Sequence, residues 1–151
     1  MKQSPSPTPD PDPDPDLAAS RLRAAGLRST RQRKALAALL FDSVGQECRH
    51  VTAEALHTEA VKAGIQVSLA TVYNTPHQFT LAGLLREVVV DAGPSCFDTN
   101  TRDHHHLYNE DTGELTDLPA RRIRITGLPR LPAAAEVSRV DVFVRVRRRT
   151  K

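Results

Sequence analysis

Apolar positions recur at a helical period up to Gly83 and at a period of two beyond it, so the chain predicts helices first and strands afterwards. Residues 17–25 read as a short helix ended by Gly26. Thr30 suits the N-cap of a second helix, in which Ala35, Leu36, Leu39 and Leu40 form one stripe. Thr52 caps a third, with Ala55, Leu56, Ala60 and Val61 on its buried face and Gly64 as its stop. Ser68 caps a fourth over residues 69–82, whose Val72, Phe79 and Leu81 or Ala82 face inward. Residues 84–91 are rich in valine, turn at Ala92-Gly93-Pro94 and return along 95–99 as a hairpin.

The second half reads as strands broken by turns: 106–109, a turn at 110–113, then 114–117. Residues 121–126 alternate arginines with Ile123 and Ile125, and 137–146 alternate Val140, Val142, Val144 and Val146 with polar partners, Phe143 excepted. A period of two with one apolar face means a sheet covered on one side, and a second copy of the chain would cover it. The expected fold class is α+β. A winged helix-turn-helix DNA-binding domain spans residues 17–100, and a small α/β dimerisation and ligand-sensing domain spans 101–151. In such a reader the helix opening at Ser68 enters the major groove, offering Thr71, Tyr73 and Asn74 to DNA, while the hairpin rides on the backbone.

Composition adds three constraints. Residues 1–16 alternate proline with small or acidic residues, so they predict a disordered tail without ladder, helix or core. The tail's four aspartates against Lys2 lie within a net charge of +3, which leaves the remainder at +6. The basic residues gather between Arg21 and Lys34 and again from Arg121 onward, where ten stand against Glu136 and Asp141, an arrangement suited to a polyanion. No stretch approaches the roughly 20 apolar residues of a membrane span and no signal segment opens the chain, so a cytoplasmic protein without membrane partners is expected. Cys48 and Cys96 are expected as two reduced thiols.

The chemistry concentrates in Asp98-Thr-Asn-Thr-Arg-Asp103-His104-His105-His106. Along an extended strand His104 and His106 share one face, while Asp103 and His105 share the other. Imidazole with carboxylate suits divalent iron, manganese or zinc. No His-Glu-x-x-His helix or nucleophile motif accompanies it, which weighs against a metallohydrolase; no enzyme is expected.

Thr30-Arg31-Gln32-Arg33 after Gly26-Leu27, His50-Val51-Thr52-Ala53-Glu54, Ser68 through Asn74, Gln78-Phe79, Ala82-Gly83-Leu84 and His104-His105-His106-Leu107 follow one another in a recognisable order and spacing. In this the chain resembles the ferric uptake regulator (Fur) family over about residues 18–117. Tyr73-Asn74-Thr75, Asp98-Thr99-Asn100-Thr101 and Val140-Asp141-Val142-Phe143-Val144-Arg145 are most similar to its iron response regulator (Irr) branch. The resemblance implies a homodimeric repressor of iron and haem metabolism genes that binds double-stranded promoter DNA. Carried over by position, it implies a metal site of His50, Asp98, His104, His106 and Asp117. It implies DNA contacts by Arg28, Arg33, Ser68, Thr71, Tyr73 and Asn74. In the Irr branch His104, His105 and His106 serve haem instead, and a peroxide-sensing or other metal-sensing member of the family is the alternative.

Four departures from the family accompany the match. Asn109 and Thr112 stand where a first Cys-x-x-Cys pair would lie and no cysteine follows Cys96, so no structural zinc held by four cysteines is expected. A second site through Asp103 and His105 meets Arg124 and Arg139 at its remaining positions and is expected to be incomplete. No Cys-Pro haem motif is present. Pro76 lies inside the fourth helix, where it is expected to cost about 3 kcal/mol or to kink the helix, after the turns that read bases.

Overall fold

The computed structural model describes residues 16–42 and 48–150. The acidic tail expected over 1–16 lies outside these residues except for Asp16, which is the N-cap of the first helix and accepts a hydrogen bond from the Ala19 N–H. Helix α1 (Leu17–Ala24) and helix α2 (Arg31–Phe41) lead to strand β1 (His50–Thr52), helix α3 (Ala53–Lys62) and helix α4 (Leu69–Leu81). Strands β2 (Arg86–Val88), β3 (Cys96–Asp98), β4 (His104–Asn109), β5 (Leu115–Pro119) and β6 (Phe143–Val146) follow, with a 3-10 turn at Ala120–Arg122.

Each N-cap expected from the sequence is made. Thr30, Thr52 and Ser68 accept from the N–H groups of Arg33, Ala55 and Thr71, which satisfies one orphan donor at each helix start. At the end of α4, Gly83 takes a φ of +78°, and the Leu84 N–H turns back onto the Phe79 carbonyl at 2.8 Å. The helices close on one apolar core, in which Leu22, Leu36, Leu40, Leu56, Val72, Phe79 and Phe97 are almost wholly buried.

Three inward positions are corrected. Val61 is 59% exposed and Leu81 is 89% exposed, because the stripe of α3 runs through Ala53, Leu56 and Ala60 and that of α4 through Val72, Thr75, Pro76 and Phe79. At about 100° per residue, Val61 sits one step and Leu81 two steps off those stripes, and Ala55 is likewise exposed. Helix α4 runs through Pro76 without ending, and the ring is fully buried on its inner face. The hydroxyl of Thr80 donates to the Pro76 carbonyl at 2.9 Å, tying the turn that follows.

Two three-stranded sheets face each other across the site, ordered β1-β3-β2 and β5-β4-β6. In the first, β3 lies between its neighbours with Asp98 opposite both His50 and Arg86. In the second, β4 pairs antiparallel with β5, which sets His106 opposite Asp117, and parallel with β6, which sets His106 opposite Phe143. The strand expected over 121–126 is not formed, and of 137–146 only Phe143–Val146 pairs. Between them Gly127, Pro129 and Pro132 interrupt the chain, and proline has no N–H to give a ladder. After Leu81 the described residues form strands and the one 3-10 turn, with no α-helix in the half expected to be α/β.

Candidate metal centre

Strand parity and cross-strand register build this site. His50 and Asp98 are direct partners on β1 and β3, His106 and Asp117 are partners on β4 and β5, and His104 lies two residues before His106 on the same face. The structure brings all five side chains together, with one ligand atom from each within 4.8 Å of the others. The Nε2 atoms of His104 and His106 lie 2.8 and 3.2 Å from Asp98 Oδ2, and 3.0 Å from each other. His50 Nε2 is 3.3 Å from the same oxygen and 3.0 Å from Asp117 Oδ1.

The donor set fits a divalent cation. His50 Nε2 and Asp117 Oδ1 are buried and satisfied by no hydrogen bond despite their 3.0 Å approach, and both lie within reach of one common centre. A carbonyl only accepts, so the 2.7 Å contact between His104 Nδ1 and the Arg102 carbonyl places the proton on Nδ1 and leaves the Nε2 lone pair facing that centre. Burial works against ionising Asp98, but the His106 and His50 imidazoles beside it and the bond from the Asn100 N–H outweigh it and hold the carboxyl well below the usual carboxylate range. Burial likewise disfavours a charged His50, and the Asp98 and Asp117 carboxylates overcome it and raise its pKa. Three imidazoles and two carboxylates are the nitrogen and oxygen donors that iron, manganese and zinc accept.

The remaining candidates fall elsewhere. His105 points to the opposite face, buried with an unpartnered Nδ1, and with Asp103 and Arg139 it lines a separate cavity of about 240 Å³. Arg139 is paired to Asp141 at 2.8 Å, and Asp141 also pairs with the buried Arg86 of β2. A guanidinium thus stands where a second cation would need a ligand, while Arg124 lies on the exposed surface. The Asn109 carboxamide caps its own turn, accepting from the Asp111 and Thr112 N–H groups. Cys96 is a free thiol, and burial pushes it up to about 11, so it stays protonated.

Of the residues expected at DNA, Tyr73 and Asn74 are exposed on α4, and the Tyr73 hydroxyl donates to Glu54 of α3. Ser68 and Thr71 bond each other at 2.9 Å at the helix start. Arg33 donates to the Arg28 carbonyl at 3.2 Å and to Gln78 Oε1 at 2.5 Å, joining α2 to α4. Sequence reasoning missed Phe143, stacked on the His106 ring with centroids 5.4 Å apart and planes at 16°, as well as Glu54 and Asn100. Of these only Asn100 carried a signal, the Asp-x-Asn pattern of a turn.

A mixed helix and sheet fold whose two sheets meet at a buried three-histidine, two-aspartate cluster defines a metal-competent α+β class. The model of the ferric uptake regulator family matches residues 24–130, and the chain belongs to that family. The ferric uptake regulation protein of Vibrio anguillarum is 35% identical over 97 residues, 64% of this chain and 63% of that protein. The match therefore spans less than two thirds of that relative's length. The peroxide-responsive repressor PerR of Staphylococcus aureus is 33% identical over 96 residues, 64% of this chain and 62% of that one. The structure of the ferric uptake regulator from Pseudomonas aeruginosa with manganese covers 89% of this chain and 99% of its own, with a TM-score of 0.66 and 29% identity.

Proposed function

We propose that the chain is a cytoplasmic, homodimeric, sequence-specific DNA-binding repressor of iron and haem metabolism genes, controlled by a divalent cation at His50, Asp98, His104, His106 and Asp117. The observation that carries this is the convergence of those five side chains from two sheets onto one centre. His50 and Asp98 belong to the sheet attached to the helices, whereas His104, His106 and Asp117 belong to the other. A bound cation supplies the positive charge that the two carboxylates share. The five residues then hold the sheets at one angle, and in a dimer that angle sets the spacing of two α4 helices on successive major grooves. The winged helix is α2 to α4 with the β2–β3 hairpin, and Arg28, Arg33, Ser68, Thr71, Tyr73 and Asn74 form its DNA face. The dimerisation domain is the β5-β4-β6 sheet with residues 120–142, where Leu128, Leu131 and Val137 stand exposed for a second copy to cover.

Among the finer readings, membership of the Irr branch rests on the sequence motifs, and haem is the rival ligand. His104, His105 and His106 are 4%, 6% and 0% exposed, so a haem must open this packing before an imidazole reaches its iron. The convergent donors favour a simple cation. Absorption spectra of the purified protein titrated with haem and with ferrous, manganous and zinc ions separate the two. A Soret shift lost on replacing His104 and His106 would favour haem. An oxygen added to His50 or His104 by peroxide with ferrous iron, seen by mass spectrometry, would move the assignment to a peroxide sensor. Gel shifts with promoter DNA test the reading as a whole: absence of sequence preference at moderate salt, with and without metal or haem, overturns it.

A further inference from the structure

We propose that Asn100 is a positioning residue that sets the denticity, and through it the ion preference, of the metal centre; this rests on the metal reading above. One side chain and its own backbone reach both carboxylates. The Asn100 N–H donates to Asp98 Oδ1 at 2.7 Å, and the side-chain Nδ2 donates to Asp117 Oδ2 at 2.6 Å. The Arg102 N–H donates to Asn100 Oδ1 at 3.1 Å, which fixes the amide with its nitrogen toward Asp117. Each carboxylate therefore has one oxygen committed to Asn100, leaving Asp98 Oδ2 and Asp117 Oδ1 to face the imidazoles. Three imidazole nitrogens and two single oxygens make five donors. Were either carboxylate free to turn, it would offer a second oxygen, and oxygen-rich sets of higher coordination suit manganese better than zinc.

The two arms are separable by mutation, because the bond to Asp98 comes from the backbone and survives any non-proline substitution. Asn100→Ala removes only the hold on Asp117 and the acceptor for Arg102. Asn100→Ser keeps a hydroxyl donor and serves as a second variant should the alanine form fail to fold, which circular dichroism of the metal-free chains reports. The experiment titrates full-length wild type and both variants with cobalt, zinc and manganese ions, following the visible bands of cobalt and competition by the other two. The expected result is a zinc affinity about tenfold lower in Asn100→Ala. Its manganese-to-zinc preference should rise severalfold and its cobalt bands weaken as coordination number grows, with Asn100→Ser falling between. Variants that bind all three ions as wild type does, with unchanged cobalt bands, overturn the role of Asn100 alone. A wild type that takes up no cobalt overturns the metal centre and Asn100 with it.

Discussion

The first half of the chain follows the usual rule of burial and the second inverts it. In the first, the apolar core is leucine, valine, alanine and phenylalanine gathered from four helices, β1, β3 and Leu85. Beyond Asp98, the buried ones among the described residues are His104, His105 and His106, while Leu128, Leu131, Val137, Val144 and Val146 are exposed. Polar groups are costly to bury and aliphatic surface is costly to leave in water. The first half is thus stabilised by its own core. The second half is organised around a buried histidine–aspartate cluster and an apolar surface that a second copy would cover.

Substitutions sharpen that contrast most where the cores differ. Phe79→Ala, in the core of the first half, should lose about 3–5 kcal/mol in urea denaturation. Val144→Ser should change unfolding of the monomer by about 0.5 kcal/mol or less, yet weaken self-association in sedimentation. Equal losses from both would erase the distinction. Next in size is the effect of the cation: at about one hundred times its dissociation constant it should add about 2.7 kcal/mol to the wild type. Chelation or His106→Ala should abolish that gain, as differential scanning calorimetry would record. Smaller again, Thr52→Ala or Ser68→Ala should cost about 1 kcal/mol through the lost cap.

The smallest expected effect is a pH slope in the metal-free chain. The His50 pKa is raised, so its stabilisation is present below the unfolded value near 6.5 and is lost as pH rises through the higher folded value. Asp98 runs the other way: its contribution is present above the unfolded carboxylate value and is lost as pH falls toward its depressed folded one. Thermal melts should therefore show a decline on the alkaline side that His50→Gln flattens. With a cation present the slope should reverse, because the ligands bind only when deprotonated.

Much of the first half was legible because its signals are local. Thr30, Thr52 and Ser68 announced their helices within three residues, and parity alone put His104 and His106 on one face and His105 on the other. Register errors at Val61 and Leu81 arose where an apolar residue sits next to a stripe rather than on it. The second half was less legible, since its alternation at Ile123 and Ile125 found no strand partner and β6 joins β4 in parallel only after a long crossover. The bond of Asn100 to Asp117, the Arg86–Asp141 pair and the stacking of Phe143 on His106 all depend on that long-range arrangement. Local pattern carries no trace of them.

The central claim is that one ion, held between the sheets, governs recognition of DNA. Fluorescence anisotropy on DNA selected from a random pool, with and without manganese, tests it in the wild type and in the His104→Ala/His106→Ala variant. The prediction is a change in wild-type affinity of about tenfold or more, corresponding to about 1.4 kcal/mol of coupling, with none in the variant. A wild type indifferent to manganese, or a variant that responds as the wild type does, would contradict it.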